Sequence, residues 1–99
     1  MTKMSQHKQL TAIVHGYVQG VSFRYYTQRA ANRLGLTGWV ANRRDGTVKV
    51  VAEGEEAALQ EFLAFLHQGS PVASVQRVDE TWREAAGDFQ NFSVRFIDV

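Results

Sequence analysis

Cysteine is absent from this 99-residue sequence, and its absence removes several kinds of chemistry. Disulfide bonds, thiolate metal sites and cysteine nucleophiles are excluded, and the composition suits a reducing compartment. Long apolar runs are also lacking: the opening residues, MTKMSQHKQ, do not look like a signal peptide, and no segment is apolar for long enough to cross a bilayer. We therefore expect a cytoplasmic protein that does not associate with membranes.

The chain is also short. A length of 99 residues lies near the lower end of sizes that build one hydrophobic core, so we expect a single domain over residues 1–99. With 44% hydrophobic and 21% charged residues, its composition is that of a folded globular domain. Residues 1–8 are polar and are expected to form a frayed N-terminal tail. The pattern leaves no unusual apolar surface, so we expect a monomer.

The chain has little net charge, with a formal value of +1 at pH 7. This value argues against a general nucleic-acid binder, and we expect no nucleic-acid partner. The charges are nevertheless segregated: residues 1–49 carry eight basic side chains and one acidic, and residues 50–99 carry three basic and nine acidic. This distribution favours a local cationic site for a small anion, although two solvated faces of opposite charge would explain it equally well.

Apolar periodicity predicts two helices and five strands in the order β-α-β-β-α-β, followed by a terminal strand. Ser22 is the expected N-cap of the first helix and Gly35 its C-terminal stop, and Asp45-Gly46 is expected to turn a hairpin. The predicted strands cover residues 9–15, 36–42, 46–53, 72–82 and 92–96, and the predicted helices cover residues 23–34 and 55–67. This order predicts an α+β, ferredoxin-like βαββαβ sandwich: an antiparallel sheet with both helices on one face, plus a short C-terminal strand.

The stretch HGYVQGVSFR, residues 15–24, joins the first predicted strand to the first predicted helix. The main-chain N–H groups at a helix start have no partners within the helix and can converge on an anion. Gly16 and Gly20 would let the backbone curl tightly around it. Two glycines near a turn more commonly indicate only a turn, so this stretch alone predicts an anion site weakly.

Arg24 falls in the first turn of that helix, where the helix dipole disfavours a cation by roughly 0.3–1 kcal/mol. A bound phosphate would offset this cost, because a guanidinium can hold two phosphate oxygens while the loop N–H groups hold others. The alternative is a solvated arginine that lies back over the helix surface.

Asn42 ends an apolar predicted strand, just before RRDG. An amide does not titrate and cannot act as a base, so any chemical role must use its hydrogen bonds. Orienting a water molecule is the natural role, and an ordinary strand-end asparagine is the commoner alternative.

The sequence contains no motif that predicts a nucleotide-binding or metal-binding site. GYVQGVSFR lacks the Gly-Lys-Ser/Thr ending of a Walker A loop, and no carboxylate cluster follows it to hold magnesium. His7, His15 and His67 lack the spacing of metal ligands. We therefore expect neither a metal nor a cofactor.

Four segments together resemble the acylphosphatase family. They are GYVQGVSFR at 16–24, GWVANRRDGTVKVVAEG at 38–54, SPVASV at 70–75 and FSVRF at 92–96, and they extend over nearly the whole chain. The first two, in this order and spacing, are highly specific. The resemblance implies the fold already predicted from the pattern and a single acylphosphatase-like domain.

The resemblance also implies roles for particular residues. It implies hydrolysis of the carboxyl–phosphate bond of a small acyl phosphate to a carboxylate and inorganic phosphate, without metal or cofactor. Arg24 would bind the phosphate and Asn42 would position the attacking water. Ser22 departs from the glycine of many members, which leaves both functional side chains in place. The implied phosphate-binding loop consists of Gly16, Tyr17, Val18, Gln19, Gly20 and Val21.

Two alternatives remain at this point. A ferredoxin-like sheet could serve as a binding module for a small ligand or RNA without catalysis. An RNA-binding sheet needs exposed aromatic side chains, whereas Phe23, Tyr26, Phe62 and Phe92 fall on predicted core stripes, with Tyr17 and Trp39 as exceptions. The chain also resembles the acylphosphatase segment of larger carbamoyl-transfer proteins, but an initial methionine and a chain of this length favour a free-standing enzyme.

Overall fold

A computed structural model describes residues 7–98 of the chain. It contains five strands and two helices, in the order that the apolar pattern predicts. The elements are β1 (His7–Tyr17), α1 (Phe23–Arg33), β2 (Thr37–Arg43), β3 (Val48–Glu55), α2 (Glu56–Gln68), β4 (Ser74–Glu84) and β5 (Phe92–Asp98). Neither helix in this part of the chain has the length and hydropathy needed to cross a membrane.

The strands form one sheet in the order β4-β1-β3-β2-β5. The four strands of the predicted sandwich pair antiparallel, and the ferredoxin-like α+β fold is confirmed. The additional strand β5 pairs parallel with β2, so the complete sheet is mixed. β4 runs opposite to β2, and the chain crosses to the other edge at the end of the sheet where β4 stops, so it enters β5 in the direction of β2.

The main core lies between the two helices and one face of the sheet. Alternate side chains of the central strands β1 and β3 point to this face because successive strand residues face opposite sides. Phe23 of α1 and Phe62 of α2 pack against them with at most 1% of their surface exposed. Removing such a ring costs about 3–5 kcal/mol of stability, so this core holds both helices firmly on the sheet. The strand residues involved are Leu10, Ala12, Val14, Val48, Val50 and Ala52.

The opposite face of the sheet carries a smaller cluster around Trp39, which is only 9% exposed. Phe89 packs against this cluster, and the Arg95 guanidinium carbon lies 4.3 Å from the Trp39 ring centroid. Trp39 is therefore covered and offers no free ring face, whereas Tyr17 is 62% exposed. Of the two exceptional aromatics, only Tyr17 is available for stacking.

The loop before β5 is fixed by a buried carboxylate on the same face. Glu53 is 4% exposed and accepts hydrogen bonds from the main-chain N–H groups of Ala86 (2.9 Å) and Gly87 (3.0 Å) and from the Gln9 amide (2.7 Å). Burial by itself raises the pKa of this carboxyl, but the three donors outweigh it and hold the pKa below its usual value. Glu53 therefore stays ionised inside the fold.

The N-terminal tail was predicted two residues too long within the described part of the chain. His7 and Lys8 belong to β1 and pair with Glu55 and Gly54 of β3. The Lys8 ammonium also donates to the carboxylate of Glu84 at 2.7 Å, so an oppositely charged partner accompanies this polar strand end. Residues 1–6 of the predicted tail lie outside the described residues.

Candidate active site

The segment between β1 and α1 comprises residues 18–22. Gly16 and Tyr17, which the resemblance places in the loop, belong to β1 and pair with Val75 and Ser74 of β4 after a bulge. Gly16 has φ of 131°, and a Cβ there would lie 2.2 Å from the carbonyl oxygen of Ser74. Only glycine fits this close approach, which sets the direction in which the chain leaves β1.

Two left-handed residues bend the loop into the helix. Gly20 has φ of 75° and Ser22 has φ of 62°. Ser22 occupies the predicted N-cap position, but its side chain makes no capping hydrogen bond. The left-handed conformation costs a residue with a Cβ about 1–2 kcal/mol, so the loop holds Ser22 in a shape that glycine would adopt freely.

The main-chain N–H groups at the start of α1 are unused by the fold. None of those from Val18 to Tyr25 donates to another residue in the described range 7–98. The first bond of the helix runs from the N–H of Tyr26 to the carbonyl oxygen of Ser22 at 3.1 Å. The loop and the first helical turn thus offer a series of donors to an external acceptor, and the helix dipole favours an anion there.

Two side chains tie this loop to the rest of the fold. The Gln19 amide donates to the carbonyl oxygens of Arg43 (2.7 Å) and Thr47 (2.8 Å), which bracket the β2–β3 turn. The Ser70 hydroxyl, which is buried, donates to the carbonyl oxygen of Val21 at 2.7 Å. The loop is therefore anchored from both sides.

Arg24 is positioned by the backbone of β5. One terminal nitrogen of its guanidinium, Nη1, donates to the carbonyl oxygens of Arg95 (2.7 Å) and Phe96 (3.2 Å). The other nitrogens, Nε and Nη2, have no hydrogen-bond partner in the described part of the chain. One side of the planar group thus fixes its orientation, and the remaining donors are free for a ligand.

Asn42 lies at the end of β2, where the pairing with β5 changes register. Ala41 is opposite Arg95, but Asn42 is opposite Ile97, and a bulge of this kind redirects a side chain. The Oδ1 atom of Asn42 is buried and accepts no hydrogen bond from the described residues. The other such atom is the hydroxyl oxygen of Thr27, which does not line the cavity described next. An unpaired buried acceptor is costly unless a ligand or water completes it.

A cavity of about 270 Å³ opens between the loop, α1, β2 and β5. It brings Arg24 and Asn42 together, although 18 positions separate them in the sequence. No acidic residue lines it, and α1 has none in its first turn. The lining residues are Val18, Gly20, Ser22, Phe23, Arg24, Tyr25, Gln28, Asn42 and Val94.

The structure divides the predicted loop residues into two groups. Val18 and Gly20 line the cavity with Arg24 and Asn42. Gly16, Tyr17, Gln19 and Val21 do not line it: the first two lie in β1, Gln19 anchors the hairpin, and Val21 is buried in the core.

Sequence reasoning missed three contributors to this site. The carbonyl groups that hold Arg24 belong to the backbone of β5, and no side-chain pattern announces them. Val94 enters the cavity from the same strand, and Ser70 reaches the loop from the α2–β4 connection. Their one sequence signal was that SPVASV and FSVRF matched the family pattern.

The β2–β3 turn carries an acidic residue, Asp45, whose carboxylate is hydrogen-bonded within the turn. Asp45 accepts hydrogen bonds from the Thr47 hydroxyl (2.6 Å) and main-chain N–H (3.0 Å), and these bonds lower the pKa of Asp45. No group of three or more histidine, aspartate or glutamate side chains within residues 7–98 is arranged to hold a metal ion.

Comparison with known proteins agrees with this geometry. A family model described as acylphosphatase matches residues 10–94, which include the loop, Arg24, Asn42 and the first three residues of β5. The chain belongs to the acylphosphatase family. The acylphosphatase of Salinibacter ruber is 46% identical over 88 residues, covering 89% of this chain and 93% of that protein. The acylphosphatase of Deinococcus radiodurans is 50% identical over 78 residues, covering 79% and 90%.

Solved structures extend the agreement to three dimensions. The crystal structure of acylphosphatase from Bacillus subtilis superposes with a TM-score of 0.86 at 42% identity, covering 89% of this chain and 98% of that one. Because curated acylphosphatases match most of the chain at such identities, the protein is an enzyme of the acylphosphatase class. The cavity that joins Arg24 and Asn42 is therefore the candidate active site of an acylphosphatase.

Proposed function

We propose that this chain hydrolyses the carboxyl–phosphate bond of acyl phosphates to a carboxylate and inorganic phosphate, without a metal or cofactor. Arg24 and the N–H groups of the loop bind the phosphate, and Asn42 orients the water that attacks phosphorus. One observation carries the proposal: a cationic side chain with free donors and a buried, unpaired amide oxygen line the same small cavity.

The leaving group explains why so few side chains suffice. A carboxylic acid has a pKa of roughly 4, so the carboxylate departs without a proton and the site needs no general acid. The cavity lining contains no acidic residue, which agrees with this requirement. An alcohol leaving group would need a proton that neither Arg24 nor Asn42 can give. Phosphate monoesters are therefore expected to be poor substrates.

The protein contributes positioning and charge. The oxygen of water forms a bond to phosphorus as the bond from phosphorus to the carboxylate oxygen breaks, and a phosphate oxygen of the substrate takes the proton of the water. Arg24 and the main-chain donors hold the phosphoryl oxygens while charge redistributes. Asn42 accepts a hydrogen bond from the water and holds it in line, which replaces a chance encounter with a fixed geometry.

The anchored loop supports this role. Because Gln19 and Ser70 fix both sides of the loop, its donors require little ordering when phosphate binds. The competing function, a sheet that stacks RNA bases, has less support, because Trp39 is covered by Phe89 and Arg95.

The test compares two substrates that share a phenyl ring. Benzoyl phosphate and phenyl phosphate are offered to the full chain in excess chelator, and release of inorganic phosphate is measured. We expect turnover of benzoyl phosphate that the chelator leaves unchanged, and at least about 10³-fold slower turnover of phenyl phosphate, since it lacks general-acid help. Loss of activity with chelator would contradict metal independence, and equal turnover of both compounds would contradict the mechanism.

A further inference from the structure

We infer that three exposed apolar side chains at the cavity mouth, Tyr25, Val94 and Phe96, bind the acyl group and favour bulky aromatic or aliphatic acyl phosphates. They are called the apolar rim below. The inference rests on the proposed function and adds the part of the substrate that Arg24 and Asn42 do not contact. It makes the rim the determinant of acyl-group specificity.

The position of these side chains is the first observation. Among the described residues, large hydrophobic side chains are exposed at Tyr17, Tyr25, Val72, Val94 and Phe96. Tyr25 (55% exposed) and Val94 (38%) line the cavity itself. Phe96 is 86% exposed, and its ring centroid lies 5.9 Å from the guanidinium carbon of Arg24. A concentration of exposed apolar surface beside a polar site is typical of a ligand-binding surface.

The direction of the reaction places the acyl group at this rim. The attacking water and the leaving oxygen lie on opposite sides of phosphorus in an in-line displacement. The Oδ1 atom of Asn42 that would hold the water is buried, so the leaving carboxylate points away from it, toward the exposed mouth. Tyr25, Val94 and Phe96 are the apolar side chains that it meets there.

Two of the three rim side chains, Tyr25 and Val94, are held in place before any ligand binds. The ring of Tyr25 meets that of Tyr26 edge to face at 5.3 Å, and the guanidinium carbon of Arg29 lies 5.7 Å from the Tyr25 centroid. Val94 is fixed in β5 opposite Val40 of β2. A fixed apolar wall loses little freedom when it packs against a ligand, so contact with a larger acyl group adds directly to binding.

The test measures kcat/KM for benzoyl phosphate and acetyl phosphate in the full chain and in three variants, Tyr25→Ser, Val94→Ser and Phe96→Ser. Both substrates release carboxylates whose acids have pKa values of roughly 4 to 5, so their ratio reports contact with the acyl group rather than leaving-group chemistry. We expect the unchanged chain to favour benzoyl phosphate. Each variant should lower the ratio about 5- to 10-fold, because benzoyl phosphate loses more contact than acetyl phosphate does. Phe96→Ser should also slow hydrolysis of both substrates, since the Phe96 ring lies beside Arg24.

Val72→Ser is the matched control, because Val72 is 66% exposed and does not line the cavity. All four side chains are exposed, so the variants are expected to fold, and this can be checked by thermal unfolding. An unchanged ratio in all three rim variants, or an equal fall in Val72→Ser, would overturn the inference and leave the proposed function intact. Failure of the unchanged chain to hydrolyse either acyl phosphate would overturn both.

Discussion

The two strand-to-helix junctions of this fold differ in the charge that accompanies the start of the helix. Between β1 and α1 the chain inserts a five-residue loop, holds Ser22 in a left-handed conformation and supplies Arg24 in place of any acid in the first turn. Between β3 and α2 there is no loop: Glu55 is an extended N-cap and Glu56 is the acid of the first turn. The second helix start therefore carries its own anion, and the first does not.

Glu53 extends the contrast. Just before the acidic junction, its carboxylate collects two main-chain N–H groups and a side-chain amide, so the protein fills this set of donors itself. At the other junction, the N–H groups from Val18 to Tyr25 find no acceptor among the described residues. Main-chain N–H groups that lack an acceptor therefore indicate an anion site, because a comparable set of donors elsewhere in the same fold is paired with Glu53.

Removing the cation of the first junction should have the largest effect. We expect Arg24→Ala to lower kcat/KM for benzoyl phosphate by about 10³-fold, because it removes the charge that stabilises the phosphoryl oxygens in the transition state. Arg33→Ala, an exposed arginine in the last turn of the same helix, should change activity less than about twofold. Near-normal turnover by the Arg24 variant would contradict the assignment of this arginine to phosphate binding.

Removing the water-orienting amide should have the next largest effect. We expect Asn42→Ala to lower kcat by about 10²-fold, as for loss of one preorganised polar group, while inhibition by inorganic phosphate changes little. Asn32→Ala, exposed on α1, serves as the control for loss of an asparagine side chain. A collapse of phosphate inhibition in the Asn42 variant would place this residue among the anion-binding groups instead.

Removing the negative charge of the buried Glu53 carboxylate should affect stability rather than catalysis. We expect Glu53→Gln to lower the free energy of unfolding at pH 7 by about 1–3 kcal/mol, because Ala86 and Gly87 donate to different oxygens of Glu53 and the amide NH₂ that replaces one of them cannot accept a hydrogen bond. Urea unfolding measures this value, and Glu61→Gln on the exposed face of α2 should change it by less than about 0.5 kcal/mol.

The unchanged chain and the Glu53→Gln variant together also test the lowered pKa of Glu53. A carboxyl group whose pKa is lowered by folding stabilises the fold fully above its unfolded value of 4.5, and this contribution is lost as pH falls through the lower folded pKa. The stability difference between the unchanged chain and Glu53→Gln should therefore shrink progressively as pH falls below 4.5. A difference that stays constant down to acid unfolding would contradict the lowered pKa.

The smallest expected effect concerns the two N-caps. We expect Ser22→Gly to raise the free energy of unfolding by up to about 1 kcal/mol, because relief of the left-handed strain exceeds the entropy cost of glycine. Glu55→Gly, at the extended N-cap of α2, has no such strain to relieve and should destabilise the protein. Thermal unfolding separates the two signs, and destabilisation by both substitutions would show that Ser22 is unstrained.

Local patterns predicted most of the fold and much of the site. Apolar spacing gave every helix and strand to within a few residues, because side-chain period is set by the geometry of each element. It placed Ser22 at the N-cap but did not predict the missing cap bond, since side-chain capping goes with an extended N-cap backbone and the backbone of Ser22 is left-handed. The local pattern places His7 and Lys8 in the tail because the residues that hold them in β1 are distant in sequence: Lys8 donates to Glu84, 76 positions away, and His7 lies opposite Glu55.

The sequence by itself determined the element order, the family and the residue types at the candidate site: a glycine-containing loop, an arginine in a first helical turn and an asparagine at a strand end. Only the tertiary structure decided how these parts meet. The carbonyls of β5 orient Arg24, a register shift between β2 and β5 places Asn42, and Ser70 fixes the loop. These contacts use backbone atoms and pairs distant in sequence, which local patterns do not encode, because each depends on how the whole chain packs.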